Sequence, residues 1–441
     1  MAEGLNKAAT LLFFLAIFFI SIPCFQANNE AEHDEYIIKR TEEARRAALE
    51  AYEPDPYNVT SEFNLHVHLA LNESNRRALR GRKYRGPCMA TNPIDRCWRC
   101  RPNWANDRMR LARCVKGFGR KTTGGLGGRI YVVTDPSDND LQNPKPGTLR
   151  YGVIQDEPLW IIFKHDMNIA LQQELLVNSH KTIDGRGANV QITKGASISL
   201  FMVTNVIVHN IRIHNVVAKP GGMIRDSAHH VGLRTRSDGD AISIFGASNI
   251  WIDHVSMSRA DDGLVDAIQG STAITISNCH MTNHNDVMLL GASDVYSEDK
   301  KMQVTVAFNH FGQGLIQRMP RARWGFVHVV NNDYTHWLMY AIGGSSAPTI
   351  LSQGNRFIAP HERAAKEITH REYSTAQEWS RWKWTSEKDL FMNGATFLQS
   401  GGRVMAKSYA RASMIKPRDG SCVTRLTRFS GALRCRVGKP C

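Results

Sequence analysis

AFNHF at residues 307–311, VNNDY at 330–334 and SQGNRF at 352–357 end alike: an Asn stands two residues before a closing aromatic. Working outward, the same closing position is apolar in HNIRIHN (Ile213), IDHVSM (Met257) and ISNCHM (Met281). From Met257 through Met281, Phe311 and Tyr334 to Phe357 the steps are 24, 30, 23 and 23 residues. Short β-branched segments recurring at such intervals are the mark of a solenoid in which each turn of chain is one rung. Leucine-rich repeats share the spacing, but their leucine framework is missing, which leaves an all-β parallel β-helix. Asn309, Asn332 and Asn355 then stack along the axis and satisfy one another's amides. Cys279 holds the equivalent place one rung earlier, so a buried, unpaired thiol is expected there.

The ends of the chain read differently. Before the solenoid, EYIIKRTEEARRAALEAY (35–52) is helix-forming and charged, and EPDPYN (53–58) breaks it. A short helical N-terminal extension over residues 27–90 is expected, followed by the main domain over 91–441. No long amphipathic helix is expected in that domain before the 360s. WSRWKW (379–384) and the Cys435/Cys441 pair are expected to pack outside the solenoid, with the tryptophans in a core in preference to a sugar platform.

Residues 1–26 carry Lys7, the apolar run AATLLFFLAIFFISIPC and then polar QANNEAEHDE, the plan of a secretory leader cleaved near Cys24 to Ala27. A secreted, extracellular protein with no membrane span after leader removal is expected. Two acceptor sequons, Asn58-Val-Thr and Asn72-Glu-Ser, suit that compartment. Eight of the nine cysteines lie beyond the leader, and Cys88, Cys97, Cys100 and Cys114 cluster. Four thiolates can hold zinc, but an oxidising compartment favours two disulfides, in any of three pairings. The formal net charge of +14 would suggest nucleic acid inside a cell. Outside it, acidic polysaccharides are the natural partner. The basic stretch NRRALRGRKYRG (75–86) reads as a linker.

RSDGDAISIF (236–245) places Asp238 and Asp240 at the mouth of a strand. Asp238 lies 19 residues before Met257 and Asp262 lies 19 before Met281, so the two are expected to stack in successive rungs, with Asp240 and Asp266 alongside. Rungs are about 4.8 Å apart, and four carboxylates that close repel unless a cation joins them. Taken singly, SDGD is also good turn chemistry. Oxygen donors without His or Cys in an open shell suit Ca2+. In GLIQRMPRARWG (314–325), Arg318, Arg321 and Arg323 follow about one rung along, and cation plus guanidinium forks bind a carboxylate-bearing chain, a polyuronate.

Long segments carry a family resemblance: NPKPGTLRYGVIQDEPLWIIF, KTIDGRGA, SDGDAISIFG, NIWIDH, DGLVDA, GSTAITISN, MQVTVAFNHFGQGLIQRMPR and HVVNNDYTHWLMYAIGGS. From about Asn92 to Cys441 the chain resembles the plant branch of the pectate lyases, and its prologue is similar to the N-terminal extension of some plant members. The resemblance implies a right-handed, single-stranded parallel β-helix that cleaves de-esterified (1,4)-α-D-galacturonan by calcium-dependent β-elimination, acting as a monomer in the cell wall. It makes Asp238, Asp262 and Asp266 calcium ligands with Asp240 beside them, Arg318 the catalytic base, and Arg323 a substrate contact.

The chain also departs from the pattern. Val255 and Ala260 in DHVSMSRADDGL and Ala322 replace cysteines, Asp261 adds a charge, and Asp286 stands where many members have a substrate-binding lysine. The departures put local rigidity and substrate affinity in question. Two other readings remain: a catalytically silent pectin-binding β-helix, and a polygalacturonase-like hydrolase using Asp261 and Asp262 as its carboxylate pair.

Overall fold

The structure, a computed structural model, describes residues 34–79, 90–402 and 414–441. The expected leader, Cys88 and most of the basic stretch lie outside them. Three parallel sheets of ten, eight and nine strands run the length of the solenoid, each rung giving one strand to each sheet through its central turns. Their inner faces meet in a continuous core of Ile, Val, Leu and Met. The closing positions pair as the spacing predicts: Met257 with Ile213 and Met281, then Phe311, Tyr334 and Phe357 in succession. The last three rings stack at 4.5 Å and 4.5 Å.

The bend into this position is local chemistry. The residue three places before it is left-handed in six rungs, at Asn210, His254, Asn278, Phe308, Asn331 and Gly354, with φ from 51° to 60°. Asn and Gly adopt that region readily, whereas Phe308 and His254 are held there by burial on both sides. The Asn ladder follows each bend. Asn309 Nδ2 donates to Asn332 Oδ1 and Asn332 Nδ2 to Asn355 Oδ1, both at 3.0 Å, and Asn355 ends the column on Asp389. Cys279 heads it, buried and free, its backbone N–H donating to Asn309 Oδ1 at 2.8 Å. Burial pushes its thiol well above the ordinary range, so it is inert.

Helices α1 (Glu35–Ala51) and α2 (Pro56–Leu79) form the extension, broken where the Pro-rich segment predicts. The first residues of the expected linker are the last turn of α2. Both helices dock on the solenoid. Arg40 of α1 donates to Met202 O at 3.2 Å, and Tyr36 stacks on His230 at 4.2 Å. Phe63 of α2 stacks on Phe308, and Asn64 donates to Gln353 at 2.9 Å.

Two expectations need correction. Trp382 and Trp384 do not pack outside the solenoid: Trp384 opens the last strand of the ten-stranded sheet and both join its core, because a solenoid end must be closed by bulky apolar groups. The 360s hold no helix beyond a 3-10 turn, Arg363–Ala365, and a one-turn helix follows at Ala376–Trp379. The N-terminal cysteines go to disulfides, the favoured of the two readings, and not to zinc: Cys97 bonds Cys114 and Cys100 is itself in a disulfide. The Cys435–Cys441 disulfide belongs, as expected, to a second core on the outer face of the ten-stranded sheet, with Trp98, Trp104 and Trp251.

Candidate active site

Strands Ile242–Phe245 and Val265–Ile268 are neighbours in the eight-stranded sheet, with Ile242 opposite Val265. That register sets Asp262 against Gly239, and Asp262 N donates to Gly239 O at 3.4 Å. The expected stacking of Asp238 on Asp262 is therefore one residue out. The turn Gln269–Ser271 is one residue longer than the corresponding Gly246–Ala247, so counting back from the closing methionines slips by one. Three of the four expected carboxylates converge, with oxygens of Asp238, Asp240 and Asp262 within 4.8 Å of one another, while Asp266 is not in that group.

Backbone donors aim the group. Asp240 Oδ1 accepts the Gly263 N–H at 2.9 Å and Asp266 Oδ1 accepts the Leu289 N–H at 3.2 Å. A Cβ at Gly263 would sit 2.1 Å from an Asp266 carboxylate oxygen of the same rung, so glycine leaves that carboxylate room in its present position. Burial, then repulsion from Asp266, Asp238 and Asp262, pushes the Asp240 carboxyl well above its ordinary range. Burial and Asp262 do the same to Asp266, and burial and Asp238 raise Asp262. A cluster so short of positive charge, built only of oxygen donors, fits a hard divalent cation.

Arg318 lies two rungs along from Asp262 and Asp266, not one as the spacing suggests, because the rung carrying Asp286 intervenes, and its positive charge opposes the rise at both carboxyls. Its backbone is left-handed, φ 62°, an unfavourable state for a residue with a Cβ that the flanking pairing maintains: Met288 N donates to Arg318 O at 2.7 Å. Its Nε stands 3.1 Å from Asp286 Oδ1. Arg321 is buried and pairs with Glu372. Arg323 is buried against Asp294, Nε to Oδ1 2.9 Å, and donates Nη1–H to Gly291 O at 2.7 Å. Asp294 and Glu372 escaped sequence reasoning. The only signal for Asp294 was the long 30-residue step, which marks an inserted turn. Tyr340, another unforeseen neighbour, lies close enough for Arg318 to act on it, and burial pushes its hydroxyl up to about 12.

Asp261, the other half of the expected hydrolase pair, is exposed and accepts the Ala218 N–H at 2.9 Å. Asn58 and Asn72 are exposed on α2, and Asn72 Oδ1 accepts from Arg418.

The comparisons bear on this arrangement. A "Pectate lyase" family model matches residues 162–380, and "Pectate lyase, N terminus" matches 29–79. The chain is 61% identical to a pectate lyase of Lilium longiflorum, over 99% of this chain and 100% of that protein. It is 55% identical to probable pectate lyase 7 of Arabidopsis thaliana, over 95% and 96%. Among solved structures, jun a 1, the major allergen from cedar pollen, superposes with a TM-score of 0.74 at 47% identity, covering 78% of this chain and 99% of that one. A Bacillus sp. N165 pectate lyase in complex with trigalacturonate shares the fold, with a TM-score of 0.51 at 20% identity over 70% of this chain and 95% of that one. At such identity over nearly its whole length, the chain belongs to the plant pectate lyase family and is a polysaccharide lyase.

Proposed function

We propose that the chain is a calcium-dependent pectate lyase that cleaves de-esterified (1,4)-α-D-galacturonan by β-elimination, with Asp238, Asp240, Asp262 and Asp266 holding Ca2+. The observation that carries this reading is the oxygen-only cluster, short of positive charge, with Arg318 on the same sheet edge two rungs along. Bound there, the cation would join the C6 carboxylate of the substrate to the protein and acidify the neighbouring C5 proton. Arg318 takes that proton, the electron pair forms the C4–C5 double bond, and the C4–O4 bond breaks. Water returns a proton to the leaving oxygen. A guanidinium ordinarily keeps its proton below about pH 12, so turnover rises with pH. Arg323, braced by Asp294, contacts a second substrate carboxylate.

The protein is secreted to the cell wall as a monomer after loss of residues 1–26, with sugar at Asn58 and Asn72, an extension over 27–90 and the catalytic domain over 91–441. The test is ultraviolet absorbance of unsaturated product from polygalacturonate at alkaline pH, with calcium and then with chelator. A rise that chelator abolishes supports the reading. No rise, with the polymer still bound, overturns it in favour of a silent pectin binder.

A further inference from the structure

A cavity of about 450 Å³ lies where the nine-stranded sheet meets the C-terminal tail, whereas the acidic cluster stands on the eight-stranded sheet. Three guanidiniums line it. Arg212, partly buried on the strand Arg212–His214, donates to Asn189 Oδ1 at 2.6 Å and to Ala432 O at 3.2 Å, so it ties the tail to the sheet. Arg434 and Arg436 line the cavity from that tail, on either side of Cys435, which is buried and bonded to Cys441. Both are exposed, and neither side chain makes a hydrogen bond or ion pair among the described residues.

The charge there is unbalanced. Among the described residues the one acid lining the cavity is Asp166, whose Oδ1 accepts the Asn189 N–H at 2.7 Å. Three positive groups therefore face one carboxylate. Arg212 registers the surplus: burial first, then repulsion from Arg434, weakens its hold on its proton against the opposing pull of Asp166. An entering carboxylate relieves that repulsion and meets donors already in place, because the disulfide and the Ala432 contact have ordered the tail beforehand. An uncharged ester gives a guanidinium a much weaker partner. The surplus also runs past the cavity, since residues 414–441 hold seven Lys and Arg against one acid, Asp419. Such a strip suits successive carboxylates on one chain better than a single small anion.

We infer that this cavity is a second, non-catalytic site for the free carboxylates of an acidic polysaccharide, and that it tethers the protein to one chain while the acidic cluster works on another. The choice of polymer rests on the lyase reading of that cluster; the site itself does not. The test measures binding of polygalacturonate by calorimetry in chelator, where the metal-free cluster repels the polymer, at low and at high salt. It compares the full chain with the double variant Arg434→Ala, Arg436→Ala, both changes being on exposed side chains outside the core. The unaltered chain should bind in chelator and weaken as salt rises. The double variant should bind about tenfold more weakly at low salt, the worth of two charge-assisted contacts near the surface. With calcium, kcat/KM on a short oligogalacturonate should be the same for both. Absence of binding in chelator, binding unaltered by the double substitution, equal binding of fully methyl-esterified pectin, or a matching loss of kcat/KM on the short oligomer overturns the inference. None of these outcomes touches the lyase reading, which falls only if the unaltered chain shows no calcium-dependent cleavage.

Discussion

Arg318 Nε lies 3.1 Å from Asp286 Oδ1, so the candidate base is held by a carboxylate that also raises Asp262. Asp286 both orients Arg318 and sets a negative charge beside an anionic substrate. Asp286→Asn keeps an acceptor and removes the charge. KM for polygalacturonate should drop about fivefold, from relief of about 1 kcal/mol of repulsion at a partly exposed site. An unchanged KM would leave Asp286 as a holder of Arg318 only.

Arg318→Lys keeps the positive charge and moves the proton acceptor. Turnover should fall roughly 10²–10⁴-fold, the range for losing a positioned base, while calorimetry shows calcium-dependent binding of the polymer intact. Retained turnover would move the proton abstraction to another group.

Calcium should stabilise the protein, and more so as pH rises. Asp240, Asp266 and Asp262 have raised carboxyls in the metal-free fold. Their contribution is full below the ordinary carboxylate range and is lost as pH climbs through the raised values. Cation binding needs the same oxygens deprotonated, so the gain in Tm on adding calcium grows over that interval. At a hundredfold excess over Kd the gain is about 2.7 kcal/mol. Equal melting with calcium and with chelator at mildly alkaline pH would remove the metal from this site.

The framework of the fold was legible because the closing apolar positions and the Asn ladder are one-dimensional features: their partners sit a fixed step away, and Asn309, Asn332 and Asn355 announce one another. The acidic cluster was legible as a group but not in register, because one residue in the turn at Gln269–Ser271 lies between the marker counted from and the strand that matters. What sequence could not supply are contacts between distant segments. Nothing local to Asp34 points to His230, and nothing local to Arg323 points to Asp294. Those pairings arise from where an inserted turn and a docked helix come to rest.

The ladder ends on Asp389, whose carboxylate accepts from Ser352, Ser386 and Asn355 and is pushed up to about 6 by burial. Its share of stability is present below about pH 4 and lost as pH rises through 6, at most about 3 kcal/mol and less where solvent reaches it. Asp389→Asn should flatten that part of the stability–pH curve in urea unfolding. A curve of unchanged slope would assign the effect elsewhere.

Within the column, Asn332 donates to Asn355 Oδ1 and Val306 O and accepts from Asn309. Asn332→Ala leaves buried amides and a carbonyl unpaired on both sides. It should cost about 2–5 kcal/mol, read as an earlier denaturation midpoint. A loss under about 1 kcal/mol would show that the neighbouring rungs repair the column.

The 30-residue step from Cys279 to Asn309 holds its surplus between Leu290 and Gln303, outside the sheets, and that surplus brings Asp294 to Arg323 and Asp299 to the Gly270 N–H. Framework and equipment are thus separable in this molecule. A lineage can refit the active face by lengthening one turn while every rung above and below keeps phase, whereas a single insertion inside a strand would throw the whole amide column out of step.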